Sequence, residues 1–214
     1  MRADGRIGGW ADRALLALVL LSAHPAIRLS AQVEVHLSAG ARATTTLVHD
    51  VIVSPLDVRP GLAPTLAFSI LERTTGPWTP DLTIDISRSQ LKRYDTGGRV
   101  TDLGALTTVA VTVGLRRELA PGVSARAGVG GLKYLPGDQG GIFKDGVSLA
   151  AVGSLGVDWT PPFAARRFGL AARYDAHRFI TPALRSVGFL DARIVHRLAV
   201  AISARLWGAG GGAP

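Results

Sequence analysis

The sequence predicts an all-β protein: an eight-stranded antiparallel up-and-down barrel that crosses a lipid bilayer, preceded by a cleavable signal peptide. Three observations predict it. From Val33 to Trp207 the 214-residue chain repeats stretches that alternate apolar with small or polar residues, each closed by a break rich in Gly, Pro or charge. An arginine-flanked apolar run sits near the N-terminus. The aromatic residues gather at the ends of the alternating stretches. Period two writes a strand with one apolar and one polar face. A series of such strands behind an export signal is the pattern of a membrane barrel.

Arg2, Arg6 and Arg13 precede the run from Ala14 to Ala23, and His24-Pro25 ends it. That run is too short to span a bilayer as a helix and has the length of a secretory core segment. Cleavage is expected after Ala31. Residues 1–31 are then signal peptide, 32–207 the barrel and 208–214 a flexible Gly-rich tail. Cysteine is absent, which excludes a disulfide frame, a thiolate nucleophile, Cys-ligated metal and a lipoprotein anchor. The net charge is +8, falling to about +6 once the four Arg and two Asp of residues 1–31 are removed. The arginines are scattered without a dense run, so lumenal or head-group roles are expected of them and no nucleic-acid partner.

Eight strands follow in order. The first, Val33 to Ala41, sets Val33, Val35, Leu37, Ala39 and Ala41 against Glu34, His36, Ser38 and Gly40. The second, Leu62 to Leu71, opposes Leu66, Phe68 and Ile70 to Thr65, Ala67 and Ser69. The third, Asp81 to Gln90, opposes Leu82, Ile84 and Ile86 to Asp81, Thr83, Asp85 and Ser87. The fourth, Ala105 to Arg116, alternates Val109, Val111, Val113 and Leu115 with Thr108, Ala110, Thr112 and Gly114. The fifth, Val123 to Leu132, is Gly-rich and carries Arg126 on its polar side. The sixth, Val147 to Trp159, sets Leu155 and Val157 against Ser154, Gly156 and Asp158. The seventh, Phe168 to His177, sets Leu170, Ala172 and Tyr174 against Ala171, Arg173, Asp175 and His177. The eighth, Leu190 to Trp207, holds the clearest alternation, Leu198 to Leu206. A tilted strand needs roughly 9–11 residues to cross the hydrocarbon, and each stretch meets or nearly meets that.

The breaks after strands two, four and six (Arg73 to Pro80, Arg117 to Gly122, Thr160 to Arg167) are compact and contain Pro. The intervening ones, Arg42 to Gly61, Leu91 to Gly104, Lys133 to Gly146 and Arg178 to Gly188, are mostly longer and more polar. Short turns at one end and long loops at the other place the short end in the periplasm. The first long break includes Val48, Val51, Ile52 and Val53, which fit an extension of strands one and two above the membrane or a small apolar contact site. Trp78, Trp159, Phe163, Phe168 and Trp207 fall at the short-turn end, and Tyr94, Tyr134, Phe179 and Phe189 at the other. With Tyr174 they are expected at the lipid–water boundaries, where a ring meets lipid while its polar edge meets water.

This organisation resembles the small eight-stranded outer-membrane barrels of Gram-negative bacteria, the OmpA/OmpX-type architecture, across residues 33–207. The resemblance rests on pattern rather than on a fixed motif. It implies outer-membrane localisation, a monomer, contact with outer-membrane lipids including lipopolysaccharide, and insertion by the barrel-assembly machinery. One departure is visible. Such chains usually end on an aromatic, whereas Trp207 is followed by seven further residues and has the parity of the polar face.

Polar-face positions carry Glu34, His36, Asp85, Arg116, Arg126, Asp158, Arg173, Asp175, His177, Arg197 and Arg205. Eight strands leave an interior just wide enough for side chains, and an unpaired buried charge costs several kcal/mol. A lumenal ion-pair network that plugs the barrel is therefore expected, with function in envelope structure or in recognition by the longer loops, no cofactor and no enzymatic activity. Two alternatives stand beside it. A lipid-modifying enzyme would use His196, whose parity is that of the lipid face. It lacks a Ser, Asp or Glu partner on neighbouring lipid-facing positions, and Tyr174 is the nearest polar group; catalysis needs a nucleophile with a base in reach. A soluble periplasmic barrel binding a small apolar ligand would need the large apolar residues to point inward. The Gly-rich segments at 128–131 and 137–141 do not lead from strand to helix as a phosphate site requires. Asp138 and Asp145 do not fit a calcium loop, and the five His are dispersed.

Overall fold

The computed structural model describes residues 33–50, 56–138, 141–147, 149–162, 167–189 and 191–208. The expected signal peptide, the tail beyond Gly208, Val51 to Val53, Phe163 and Leu190 lie outside them. The described strands are β1 (Val33–Thr44), β2 (Val48–Asp50), β3 (Leu56–Pro60), β4 (Ala63–Glu72), β5 (Trp78–Asp95), β6 (Val100–Ala120), β7 (Val123–Pro136), β8 (Ala150–Trp159), β9 (Phe168–Phe179) and β10 (Arg193–Trp207). A 3₁₀ turn (Gly141–Phe143) and one short helix, α1 (Pro182–Ser186), complete them.

Eight of these strands form a ring. Going round it, β1 pairs with β4, β4 with β5, and then each with the next through β10, which pairs back to β1; every pairing is antiparallel. The fold is therefore a closed, all-β, up-and-down barrel, as the alternation predicts. β2 and β3 make a hairpin outside the ring. β3 pairs with β5 at Leu91 to Asp95, in line with β4, so it continues the second ring strand beyond a break at Gly61.

Strand ends differ from the sequence reading, and mostly because strands run on. β5 and β6 continue through the expected loop Leu91 to Gly104 and close on a tight turn at 96–99. The register shifts there: Leu91 of β5 lies opposite both Leu103 and Gly104, with Gly104 at φ +89°. That bulge breaks period two, which is why the continuation reads as loop. β7 likewise runs to Pro136 and β1 to Thr44, whereas β8 begins at Ala150 rather than Val147 and β10 at Arg193.

The ring is inside-out relative to a water-soluble protein. On β10, Leu198, Val200 and Ile202 are 54–64% exposed, while Arg197, Ala199, Ala201 and Ser203 are 1–8% exposed. The same alternation holds on the other strands: Leu66, Ile84, Val113, Val129, Leu155 and Leu170 point outward, and Thr65, Asp85, Thr112, Arg126, Ser154 and Ala171 point inward. An apolar belt around a whole ring far exceeds the largest patch of an ordinary soluble monomer, roughly 300–600 Å². The soluble-barrel alternative requires the opposite orientation and is overturned by this register.

Toward the end opposite the short turns the polarity of the interior inverts. Past Asp85, Thr108, Ser154 and Arg197, the inward positions become Leu91, Leu106, Leu132, Val152, Phe179 and Val195, each 3% exposed or less. Outward positions at this level carry Arg88, Thr107, Lys133, Arg178 and His196. The β2–β3 hairpin adds Leu47, Val48 and Val58 to this apolar cluster, the 3₁₀ turn adds Phe143, and α1 adds Leu184. Thr181 fixes α1 in place: its hydroxyl accepts from the Leu184 amide (3.2 Å) and donates to the Ile142 carbonyl (2.6 Å). The barrel thus has a polar interior over most of its height and a buried apolar cap at the loop end.

Candidate functional site

The lumen beneath that cap holds the charged side chains in tiers. Nearest the short turns, Glu34 accepts from Arg73 (2.6 Å) and lies 3.5 Å from Arg205 and 3.4 Å from His36. Further in, Asp158 is bound through both oxygens by Arg173 (2.8 and 3.0 Å) and flanked by Arg116 at 3.2 Å. Asp81 and Arg126 then form a bidentate pair at 2.6 and 3.1 Å, with both side chains essentially excluded from solvent. The Arg126 guanidinium also donates to Ser154 (3.1 Å) and Thr112 (3.0 Å), so its fork is held from three strands besides its own. Below the cap, two arginines and two aspartates share one cluster. Arg42 donates to both oxygens of Asp85 and lies 3.7 Å from Asp175. Arg197 lies 3.4 Å from Asp85 and 3.9 Å from Asp175. Hydroxyls complete it: Thr65 donates to Asp85 (3.1 Å) and Thr108 accepts from Arg197 (3.2 Å).

Three of these residues escape the sequence reading. Asp81 lies on a polar face but is absent from the expected charge network. Arg42 falls beyond the expected end of strand one, although it keeps the parity of Glu34, His36, Ser38 and Gly40; extending the alternation by one step finds it. Arg73 belongs to a turn and carries no periodic signal.

Several expected roles are corrected. His177 hydrogen-bonds the Tyr134 hydroxyl at 2.7 Å, with no acid among its described partners, because it stands at the floor of the apolar cap. Tyr134 and Phe179 are 2–3% exposed and point inward, with ring centroids 5.2 Å apart in an edge-on contact. Phe189 packs against the same cluster. These three rings therefore build the cap and are not at a lipid boundary. Tyr94 lies on the β5 continuation with the Arg59 guanidinium 3.9 Å over its ring. The aromatics at the short-turn end behave differently: Trp78, Trp159, Phe168 and Trp207 are 44–69% exposed and point outward. Trp207 reaches that face through a bulge, since Val35 pairs with Trp207 while His36 pairs with Arg205. The extra residue, Leu206, reverses the parity that the sequence suggests.

His196 stays on the outer face. Its Nδ1 is 2.6 Å from the Tyr174 hydroxyl, the two rings stack at 5.9 Å, and its backbone N–H donates to the Thr45 hydroxyl at 3.0 Å. Among the described residues its ring has no Ser, Asp or Glu partner. The pair satisfies two polar groups at the edge of the apolar belt and supplies no base–nucleophile relay.

Taken together, ring closure, an apolar exterior and a charged interior define the architecture of a small outer-membrane β-barrel. No family model matches the chain, and no curated protein matches its sequence. Among solved structures it is similar to Ail of Yersinia pestis, crystallised with the heparin analogue sucrose octasulfate (12% identity, 82% of this chain and 98% of that one, TM-score 0.47). It is also similar to OprG from Pseudomonas aeruginosa (10% identity, 81% and 95%, TM-score 0.45) and to AlkL in lipid bilayers (14% identity, 82% and 90%, TM-score 0.48).

Proposed function

We propose that the protein is exported by its N-terminal segment and resides in the outer membrane as a monomeric barrel with a plugged lumen. It serves envelope structure, or recognition through the end that carries the hairpin, the 3₁₀ turn and α1. Its lipid surroundings include lipopolysaccharide, and the barrel-assembly machinery inserts it. The observation that carries the plug is the buried cluster of Arg42, Asp85, Asp175 and Arg197, drawn from β1, β5, β9 and β10, with Arg197 reaching across the lumen to Thr108 on β6, under a cap in which Leu106, Leu132 and Val195 are 1% exposed or less. Moving an ion along that axis means displacing bidentate pairs and then crossing an apolar layer. Planar-bilayer recording of the purified protein tests this. The expected result is no steady conductance at moderate voltage. A stable, ohmic open channel would remove the plug from the account.

A further inference from the structure

Two cavities have linings that neighbour one another along β8 and β9. The lower is an apolar groove of about 700 Å³ walled by Leu115, Val129, Leu155 and Tyr174. Its floor is open at Gly153, where an added Cβ would meet no heavy atom within 4 Å. Gly153 pairs with Val129 on one side and Ala176 on the other. The upper cavity, about 350 Å³, is lined by Ala151, Arg178, Thr181 and Arg185 among others. Ala151 precedes Gly153 by two residues on β8, and Arg178 follows Ala176 by two on β9. Same-face neighbours in a strand are about 7 Å apart, so the two linings stand one same-face step apart on both strands. Neither lining contains an acid among the described residues.

We propose that this face is a seat for one anionic, phosphate-bearing lipid of the surrounding bilayer. An acyl chain lies in the groove over Gly153, and the phosphate rests between Arg178 and Arg185. The inference deepens the outer-membrane reading and rests on it. Charge complementarity selects the occupant. An apolar groove beside a cavity lined by two arginines matches an acylated anion, because Arg forks bind phosphate through paired N–H donors. Tyr174 suits such a wall: its ring faces the chain while His196 holds its hydroxyl. A second copy of the chain docking by two-fold symmetry would have to take these same arginines into its interface.

Native mass spectrometry of the purified protein in detergent, with phosphatidylglycerol or phosphatidylcholine of identical chains, tests the seat. One phosphatidylglycerol is expected to stay bound, about tenfold in preference to phosphatidylcholine. Gly153→Phe should lower retention of both lipids. Arg178→Gln with Arg185→Gln should erase the preference while leaving phosphatidylcholine retention unchanged. Both arginines are exposed, so the double variant decides the matter even if Gly153→Phe fails to fold. Equal retention of the two lipids by the unaltered protein, an unchanged preference in the arginine variant, or a dimer filling the face overturns the seat. Heat-modifiable migration of the unaltered protein after insertion into vesicles reads the membrane assignment separately; its absence would count against that assignment, not against the groove alone.

Discussion

Replacing Asp81 with Asn will destabilise the barrel by about 3–5 kcal/mol, the usual cost of leaving one member of a buried ion pair without its partner. The Arg126 side chain is 1% exposed and that of Asp81 is fully buried. Ser154 and Thr112 can stay bonded to the guanidinium, but neither neutralises it. The double variant Asp81→Leu, Arg126→Met should recover most of the loss, since removing both charges also removes their desolvation cost. Arg93–Asp95 provides the contrast. It is equally short at 2.7 Å but its side chains are 45% and 32% exposed, so Asp95→Asn should change stability by less than about 1 kcal/mol. Urea titration in vesicles measures all three. Equal effects at Asp81 and Asp95 would show that the lumen is wet enough to screen its charges.

The second large effect is steric and concerns closure. Gly40 faces the lumen on the β1–β10 seam, where the first and last ring strands meet. A Cβ there would collide with the Val200 carbonyl and come within 2.5 Å of the Ala201 Cα. Those are backbone atoms of the partner strand and cannot swing aside. Gly40→Val should therefore cost about 3 kcal/mol or more, at the upper end of overpacking penalties, and should abolish the heat-modifiable species. Gly153→Ala, at a glycine with open space above it, should insert normally. A folded Gly40→Val barrel would mean that the seam is looser than the register implies.

Side-chain parity was legible wherever a strand stayed regular. Period two alone separates Thr65, Asp85, Thr112 and Ser154 from Leu66, Ile84, Val113 and Leu155, because a pleated strand in a closed barrel has only two sides. What parity cannot carry is a bulge. One near Leu91 hides the continuation of β5 and β6, and one at Leu206 turns Trp207 from lumen to lipid. Nor does it carry the height at which the interior changes solvent. Tyr134 and Phe179 lie at strand ends as interface aromatics do, yet their parity is inward, and the cap that buries them is assembled from β2, β3 and α1, distant in sequence. Partner identity was equally hidden. Asp81 and Arg126 are 45 residues apart, and the pairing of β5 and β7 on either side of β6 brings them together.

If hydrocarbon solvates the outer face, site-directed spin labelling along β10 will read it strand position by strand position. The chain has no cysteine, so single cysteines at Leu198 through Ser203 can be labelled without background in the vesicle-inserted protein. Collisions with oxygen, which concentrates in lipid, should peak at 198, 200 and 202, and a water-soluble nickel complex should be excluded from those three. Labels at 199, 201 and 203 should meet little of either. Strong nickel access at 198, 200 and 202, or an oxygen maximum on the odd positions, would mean that lipid does not cover the face of Leu198, Val200 and Ile202.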